Sequence, residues 1–120
     1  MKYKIIITPN YETKIEEFKG DTPLYDSVDG IVQECGIIYD VNGKNLLLYC
    51  NDSFKLREDL LFNIVGSILS GHEIHGNVLI LYDGLNEKGE LDALPFEYEE
   101  AIEIAKEIDN LAELLRRKAE

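Results

Sequence analysis

The dipeptide Asn42-Gly43 lies between two apolar, β-branched runs and constrains the fold more than any other feature of the chain. A two-residue type I′ turn needs positive φ at both central positions, which asparagine and glycine adopt more readily than other residues. The sequence therefore predicts that residues 31–40 and 45–50 form neighbouring antiparallel strands.

Hydrophobic periodicity and turn residues predict the other elements. Alternating or short apolar runs predict strands at residues 1–8, 12–18 and 77–82. Apolar spacings of three and four, together with capping residues, predict helices at residues 23–30, 56–69 and 97–118. The polar, glycine-bearing segment 83–90 is predicted to be a surface loop, and its oxygen-bearing side chains do not match the spacing of a calcium-binding loop.

These elements predict an α+β fold: a mostly antiparallel sheet of about five strands, two short helices and a long C-terminal helix. A chain of 120 residues fits one domain, residues 1–120, in which 1–96 form the α+β body and 97–118 the C-terminal helix. The predicted core consists of Ile5, Ile7, Val28, Ile38, Leu46, Leu48, Ile64, Ile68, Val78, Ile80, Ile104 and Ile108.

The C-terminal helix carries an apolar stripe wide enough for more than one packing surface. We expect one side of it to cover the sheet and a seam that includes Ile108 and Leu111 to join a second copy of the chain. The chain is thus predicted to be a homo-oligomer, most simply a dimer, and replacing both seam residues with Asp should give monomers. The alternative is a helix that packs only on its own domain.

Composition excludes several classes of function. Twenty-four acidic residues against twelve basic ones give a formal charge of −12, which argues against binding to duplex nucleic acid. The longest apolar runs are far shorter than the roughly 20 residues of a membrane span, so we expect a soluble, cytoplasmic protein. Cys35 and Cys50 do not form a CxxC pair, and we expect them to be free core thiols.

Motifs for catalysis are absent from the sequence. No Gly-x-Ser-x-Gly elbow, Walker loop or Gly-x-Gly-x-x-Gly turn is present. His72 and His75 lie three residues apart, but a catalytic zinc needs a third ligand that the sequence does not offer. We therefore expect neither an enzyme nor a metal or other cofactor. An uncharacterised nucleotide-processing enzyme that uses the two histidines is the alternative.

The segment 49–57 is the best candidate for a binding site, because two of the few basic residues in the middle of the chain lie there beside an aromatic ring. Cations and an aromatic face can hold an anionic, ring-bearing ligand by charge-assisted hydrogen bonds and stacking. The alternative is a surface loop in which the cations pair with Glu58 and Asp59. The predicted ligand-binding residues are Asn51, Phe54, Lys55, Arg57 and Asn63, with His72 and Tyr82 from the second half of the chain.

The order of short motifs resembles the family called domain of unknown function 3846, over residues 4–96. The motifs are Asp29-Gly30-Ile31-Val32-Gln33-Glu34, Tyr49-Cys50-Asn51, Lys55-Leu56, Leu61-Phe62-Asn63, Gly76 before an apolar strand, and Leu91 to Pro95. The family occurs in phages, prophages and bacteria. The resemblance implies a context, that of a small phage-type protein acting in the cytoplasm of an infected or lysogenic host, and not a general biochemical activity.

In that context two functions compete. The first is a sponge that sequesters a nucleotide-derived immune second messenger, of the cyclic oligonucleotide or cyclic ADP-ribose type, and so blocks host anti-phage signalling. The second is an acidic inhibitor that binds a host protein in the manner of a DNA mimic. We expect the sponge, because Arg57 and Lys55 give local positive charge, and because the excess of carboxylates is spread along the chain. Replacing either cation with Ala should then weaken a phosphate-bearing ligand by about 1–3 kcal/mol.

Overall fold

The computed structural model describes residues 1–19, 27–28, 30–53 and 56–119. Most of the helix predicted at residues 23–30 therefore lies outside the described residues, although Ser27 and Val28 are helical. Phe54 and Lys55, two of the predicted ligand-binding residues, also lie outside them.

The described residues form one antiparallel sheet and two helices longer than a single turn. The strands are β1 (Tyr3–Ile7), β2 (Thr13–Glu17), β3 (Val32–Val41), β4 (Lys44–Asn51), β5 (Val78–Leu85) and β6 (Leu91–Leu94), and the helices are α1 (Ile64–Ser70) and α2 (Tyr98–Ala119). The strand order is β2-β1-β5-β4-β3, and β6 also pairs with β5. The predicted α+β class is confirmed, with six strands in place of five.

The hairpin at Asn42-Gly43 is confirmed. Asn42 has φ 51° and Gly43 has φ 80°, and the strands on either side pair as β3 and β4. β3 is an edge strand, and its register shifts twice along β4, once between Glu34 and Gly36 and once between Ile38 and Val41. Cys35 is the unpaired residue of the first shift, which is a β-bulge that locally bends the strand.

The sixth strand lies directly after the predicted surface loop 83–90, in a segment for which the sequence predicted no element, and the first three residues of that loop belong to β5. β5 continues to Leu85, and a turn of five residues leads into β6. The side-chain oxygen of Asn86 accepts hydrogen bonds from the backbone N–H of Lys88 and of Glu90, at 2.9 and 3.0 Å, and Gly89 has φ 77°. Apolar periodicity does not mark this hairpin, because acidic and glycine residues interrupt both strands.

Helix α1 is half as long as predicted. The apolar spacing from Leu56 onward indicated a helix of fourteen residues, but α1 begins only at Ile64, because Asn63 is its N-cap and accepts a hydrogen bond from the backbone N–H of Gly66 at 2.9 Å. Gly71, with φ 79°, ends the helix. Ile68, predicted in the core, is half exposed.

Both faces of the sheet are apolar. Helices α1 and α2 cover one face, and the buried residues there include Ile5, Leu48, Ile80 and Phe96. The opposite face has a smaller cluster of Ile6, Val28, Leu79 and Leu81. Of the predicted core, Ile5, Ile7, Val28, Leu46, Leu48, Val78, Ile80, Ile104 and Ile108 are buried, and Ile38 and Ile64 are partly buried.

The residues predicted to form a dimer seam pack against other residues of the same chain. Helix α2 packs on β1 and β2, where Ile108 retains 5% exposure and Ala112 retains 3%. Leu111 is partly buried and packs against the same cluster. The wide stripe packs against β1, β2 and α1 of the same chain. An Ile108→Asp substitution would therefore disrupt the core of the domain.

Candidate functional site

A cavity in the described part of the chain lies at the edge of the sheet, beside β3, and has a volume of about 640 Å³. This volume is typical of sites for small molecules. β3, the end of β4, the loop that follows it and the loop after α1 form its walls. The lining residues are Gln33, Glu34, Cys35, Gly36, Ile37, Cys50, Asp52, Ser53, Leu56, His72, Glu73 and Ile74.

The bulge in β3 and a glycine beside it shape the first wall. A Cβ atom on Gly36 would lie 3.0 Å from Cα of Ser70, the last residue of α1. Glycine thus lets the end of the helix pack directly against the edge strand, as close backbone approaches commonly require. This packing sets the distance between β3 and the loop that carries His72.

Asn63 and Ser67 hold the second wall in place. The backbone N–H of Asn63 donates to the Ile74 carbonyl at 2.8 Å, and the Ile74 N–H donates to the Ser67 hydroxyl at 2.8 Å. The Asn63 amide also donates to the carbonyls of Ile7 and Gly76, at 3.0 and 2.8 Å. The loop of residues 72–74 is therefore anchored to α1 and, through Asn63, to β1.

Asn51 fixes the third wall. Its amide donates to the Val28 carbonyl at 3.1 Å and accepts from the Ser53 N–H at 2.7 Å, while the Asp52 N–H donates to the Ile31 carbonyl at 2.7 Å. Asn51 itself is buried, so its side chain supports the turn that presents Asp52 and Ser53 to the cavity.

The described lining is rich in hydrogen-bond acceptors. Glu34, Asp52 and Glu73 contribute carboxylates and His72 an imidazole, whereas no lysine or arginine belongs to the lining residues that the structure describes. Ile37, Leu56 and Ile74 provide apolar surface, and the first two are exposed. The arrangement suits a ligand that is flat, partly apolar and rich in N–H donors.

Two thiols also line the cavity. The pKa of the Cys35 thiol is raised far above its ordinary value, chiefly by its hydrogen bond with Cys50 and secondly by burial. The pKa of the Cys50 thiol is lowered, because Cys35 hydrogen-bonds to it. Both cysteines are free thiols.

The structure gives the other predicted ligand-binding residues different roles. Arg57 is held by Asp59, with its Nε 3.0 Å from a carboxylate oxygen, as in the surface ion pair considered as the alternative. Tyr82 lies near the start of β4, where its ring contacts Phe96 and the ammonium group of Lys44. Asn51 and Asn63 use their amides within the fold. Of the predicted ligand-binding residues that the structure describes, only His72 lines the cavity.

The two histidines differ in their surroundings. The Nδ1 atom of His75 lies 3.2 Å from the Leu60 carbonyl and its Nε2 atom 3.1 Å from a Glu73 carboxylate oxygen. Its ring also packs edge-on against Phe62. The His75 ring thus contacts neighbouring protein groups through both nitrogens and its edge, while His72 is exposed and lines the cavity.

The β3 wall was missed because residues 31–40 were read only as an apolar strand. Gln33 and Glu34 are polar and Gly36 is a glycine within that strand, and these residues together are typical of a bulge at an edge. This is the signal in the sequence that could have indicated a site on β3.

Within the described residues, no group of three or more His, Cys, Asp or Glu side chains could hold a metal ion. None of the helices in the described part of the chain is both long and apolar enough to cross a membrane.

The fold and the cavity together define a small α+β domain with one prominent groove at a sheet edge. No family model matches the chain, and no curated protein or solved structure shows detectable similarity to it. The resemblance to domain of unknown function 3846 therefore stays a prediction.

Proposed function

We propose that this chain is a non-catalytic binding protein that sequesters a small nucleotide-derived ligand by enclosing its base in the cavity beside β3. The observation that carries the proposal is the lining itself, in which carboxylates and an imidazole surround apolar surface in about 640 Å³. Ligand sites commonly combine apolar surface with a few polar groups that fix orientation.

The charge of the described lining favours recognition of the base over recognition of the phosphates. Glu34, Asp52 and Glu73 would repel a phosphate placed among them. The exocyclic amino groups and ring N–H groups of bases are donors, and carboxylates accept from them with a specific geometry. This differs from the site expected from the sequence, in which cations were to bind the anionic part of the ligand.

The cations that the sequence predicts for phosphate binding are Lys55 and Arg57. Lys55 lies between Ser53 and Leu56 in sequence, and Arg57 follows Leu56. Arg57 already pairs with Asp59, so its recruitment would require breaking that ion pair. We therefore expect Arg57→Ala to change ligand affinity little, whereas Lys55→Ala keeps the loss of about 1–3 kcal/mol expected for a phosphate-bearing ligand.

The biological role that follows is sequestration of an immune second messenger of the cyclic oligonucleotide or cyclic ADP-ribose type, with host anti-phage signalling blocked as a result. This role depends on the resemblance to a phage-type family as well as on the cavity.

The test is a thermal-shift and calorimetric screen of the purified chain against uncharged nucleosides, cyclic di- and trinucleotides, cyclic ADP-ribose isomers and inorganic phosphate. A ligand at a hundredfold excess over its dissociation constant stabilises the native state by about 2.7 kcal/mol, so tight binding is readily detected. We expect base-bearing compounds to bind and inorganic phosphate not to bind. Recovery of chemically altered ligand, or no shift with any compound, would overturn the proposal.

Two carboxylate variants locate the site. Asp52→Asn removes an acceptor charge from the lining, and we expect it to weaken the best ligand at least about tenfold, the equivalent of about 1.4 kcal/mol. Asp109→Asn makes the same change on the exposed side of α2 and should leave affinity unchanged. Equal effects of the two variants would show that binding responds to net charge and not to the cavity.

A second candidate function is the acidic protein-binding inhibitor, and one observation favours it. Glu99, Glu103 and Glu107 are all exposed on α2 and four residues apart, which spaces their positions about 6 Å apart along the helix. Such a row resembles the regular charges of a nucleic-acid backbone. If the ligand screen is negative, we expect this chain to compete with duplex DNA for a host DNA-binding protein. Replacing the three residues with Gln should abolish that competition.

A further inference from the structure

We propose that Cys35 and Cys50 form a thiol–disulfide exchange site in the cavity wall, where small neutral or cationic disulfides oxidise them reversibly to an intramolecular disulfide. The proposal needs no bound ligand, so it stands or falls independently of the function proposed above.

The placement of the two residues supports this site. β3 and β4 are hydrogen-bonded neighbours, and Cys50 is paired with Gln33, two residues before Cys35. Cys35 is the extra residue of the bulge, packs against the core cluster that contains Cys50, and lines the same cavity. Cys50 retains 1% exposure, whereas Cys35 is partly exposed, so an external reagent reaches Cys35 first.

The edge position of β3 lets the two sulfur atoms approach each other. Disulfides require a narrow range of separations and dihedral angles, and a rigid central strand pair often cannot supply them. Within the described residues, β3 is hydrogen-bonded to a neighbouring strand on one side only, and its bulge already interrupts the ladder at Cys35. A small adjustment of this strand therefore costs less than the same adjustment in β5.

The two exchange steps balance without any bound cofactor. In the first step, Cys35 gives its proton to solvent, its sulfur attacks one sulfur of the external disulfide, and one thiolate leaves. In the second step, Cys50 gives its own proton to solvent, its sulfur attacks the Cys35 sulfur, and the second thiolate leaves. The two cysteines lose two electrons and the external disulfide gains them. The lowered pKa of Cys50 is consistent with its role as second nucleophile.

The charge around the thiols selects the oxidant. Glu34, Asp52 and Glu73 line the same cavity and repel an anionic reagent. A cationic disulfide such as cystamine should therefore react faster than the anionic glutathione disulfide. Salt screens these interactions, so the difference should shrink as ionic strength rises.

The experiment incubates the native chain with each of the two disulfides, quenches with acid and alkylator, and measures intact mass. The wild-type chain should lose the mass of two hydrogens and take up no alkylator, and added dithiothreitol should restore both thiols. After correction for the rates of a small reference thiol, cystamine should act at least about fivefold faster than glutathione disulfide at low salt.

Two single variants identify the order of the steps. Cys50→Ser should stop at a mixed disulfide on Cys35, because no second sulfur is present to resolve it. Cys35→Ser leaves only the buried Cys50, which should react at least about tenfold more slowly than Cys35 does in the first variant. Because Cys50→Ser alters the core, the circular dichroism spectrum of each variant is recorded first, and Cys35→Ser provides the test if the other fails to fold.

Three results would overturn the proposal. The wild-type chain could keep both thiols free under conditions that oxidise it once unfolded in guanidinium. It could accumulate only mixed disulfides or covalent dimers. The Cys35→Ser variant could react as fast as wild type, which would place the first attack on Cys50.

Discussion

Replacing Asn63 with Ala tests whether this buried amide supports the fold or binds a ligand. Asn63 has no exposed surface, and its side chain makes three hydrogen bonds, to the Gly66 N–H and to the carbonyls of Ile7 and Gly76. These bonds join α1, β1 and the segment before β5. The Asn63→Ala variant leaves all three backbone groups without this partner.

The expected loss follows from the three bonds. An N-cap residue replaced by Ala costs about 1 kcal/mol. Each of the two carbonyls loses a buried hydrogen bond, at about 1–2 kcal/mol apiece once desolvation is included. The sum is a decrease of about 3–5 kcal/mol in the free energy of unfolding, a large share of the roughly 5–15 kcal/mol typical of a domain.

The assay is urea unfolding followed by circular dichroism, with the slope of the free energy against urea checked for constancy. Asn110→Ala serves as the control, because Asn110 is exposed on α2 and its replacement should change stability by less than about 0.5 kcal/mol. Asn63→Asp keeps the acceptor for the Gly66 N–H but sets a carboxylate against two carbonyls, so it should be destabilised at neutral pH and partly restored by acid. A loss below about 1 kcal/mol in Asn63→Ala would refute the reasoning.

Three further predictions concern packing and charge. Gly66→Ala should lower stability by about 1–3 kcal/mol despite the better helix propensity of alanine, because its Cβ would lie 2.6 Å from Cγ2 of Val78; unchanged urea unfolding would contradict this. Ile108→Asp should unfold the domain and not merely release monomers. Leu114→Asp, at a half-exposed position of the same helix, should stay folded by circular dichroism. A folded Ile108→Asp chain of smaller size by light scattering would instead support the dimer seam. The Lys2 ammonium group lowers the pKa of the Glu97 carboxyl below its ordinary value of 4.5. This pair therefore stabilises the fold above pH 4.5, and its contribution is lost as the pH falls through the lower pKa of the folded state. In Lys2→Met an NMR titration should show the Glu97 pKa returning toward its ordinary value, and an unmoved titration would exclude the pairing.

The residues of the candidate site could be predicted only in part from the sequence. The segment 49–57 and His72 drew attention because cations, an aromatic ring and imidazoles are scarce in this chain, and Asp52, Ser53, Leu56 and His72 do line the cavity. Arg57, one of the cations in that segment, pairs with Asp59 two residues away. Gln33, Glu34 and Gly36 could have indicated the bulge in β3, but they do not show that this bulge faces the loop after α1.

The sequence by itself determined the elements whose causes are local. Asn42-Gly43 produces a hairpin because two adjacent residues accept positive φ, and the apolar spacing from Ala101 to Leu115 produces a long helix because one face must be buried. Together these two features were enough to establish an antiparallel sheet covered by a helix, and so the α+β class.

Only the tertiary structure decided where each helix begins and against which surface its apolar residues pack. The start of α1 depends on Asn63, whose partner Ile7 is 56 residues away, and the burial of Ile108 depends on how α2 lies across β1 and β2. The cavity likewise requires the bulge at Cys35 to face the loop after α1. Such contacts join residues distant in sequence, and periodicity records only which residues are apolar, not the surface against which each will pack.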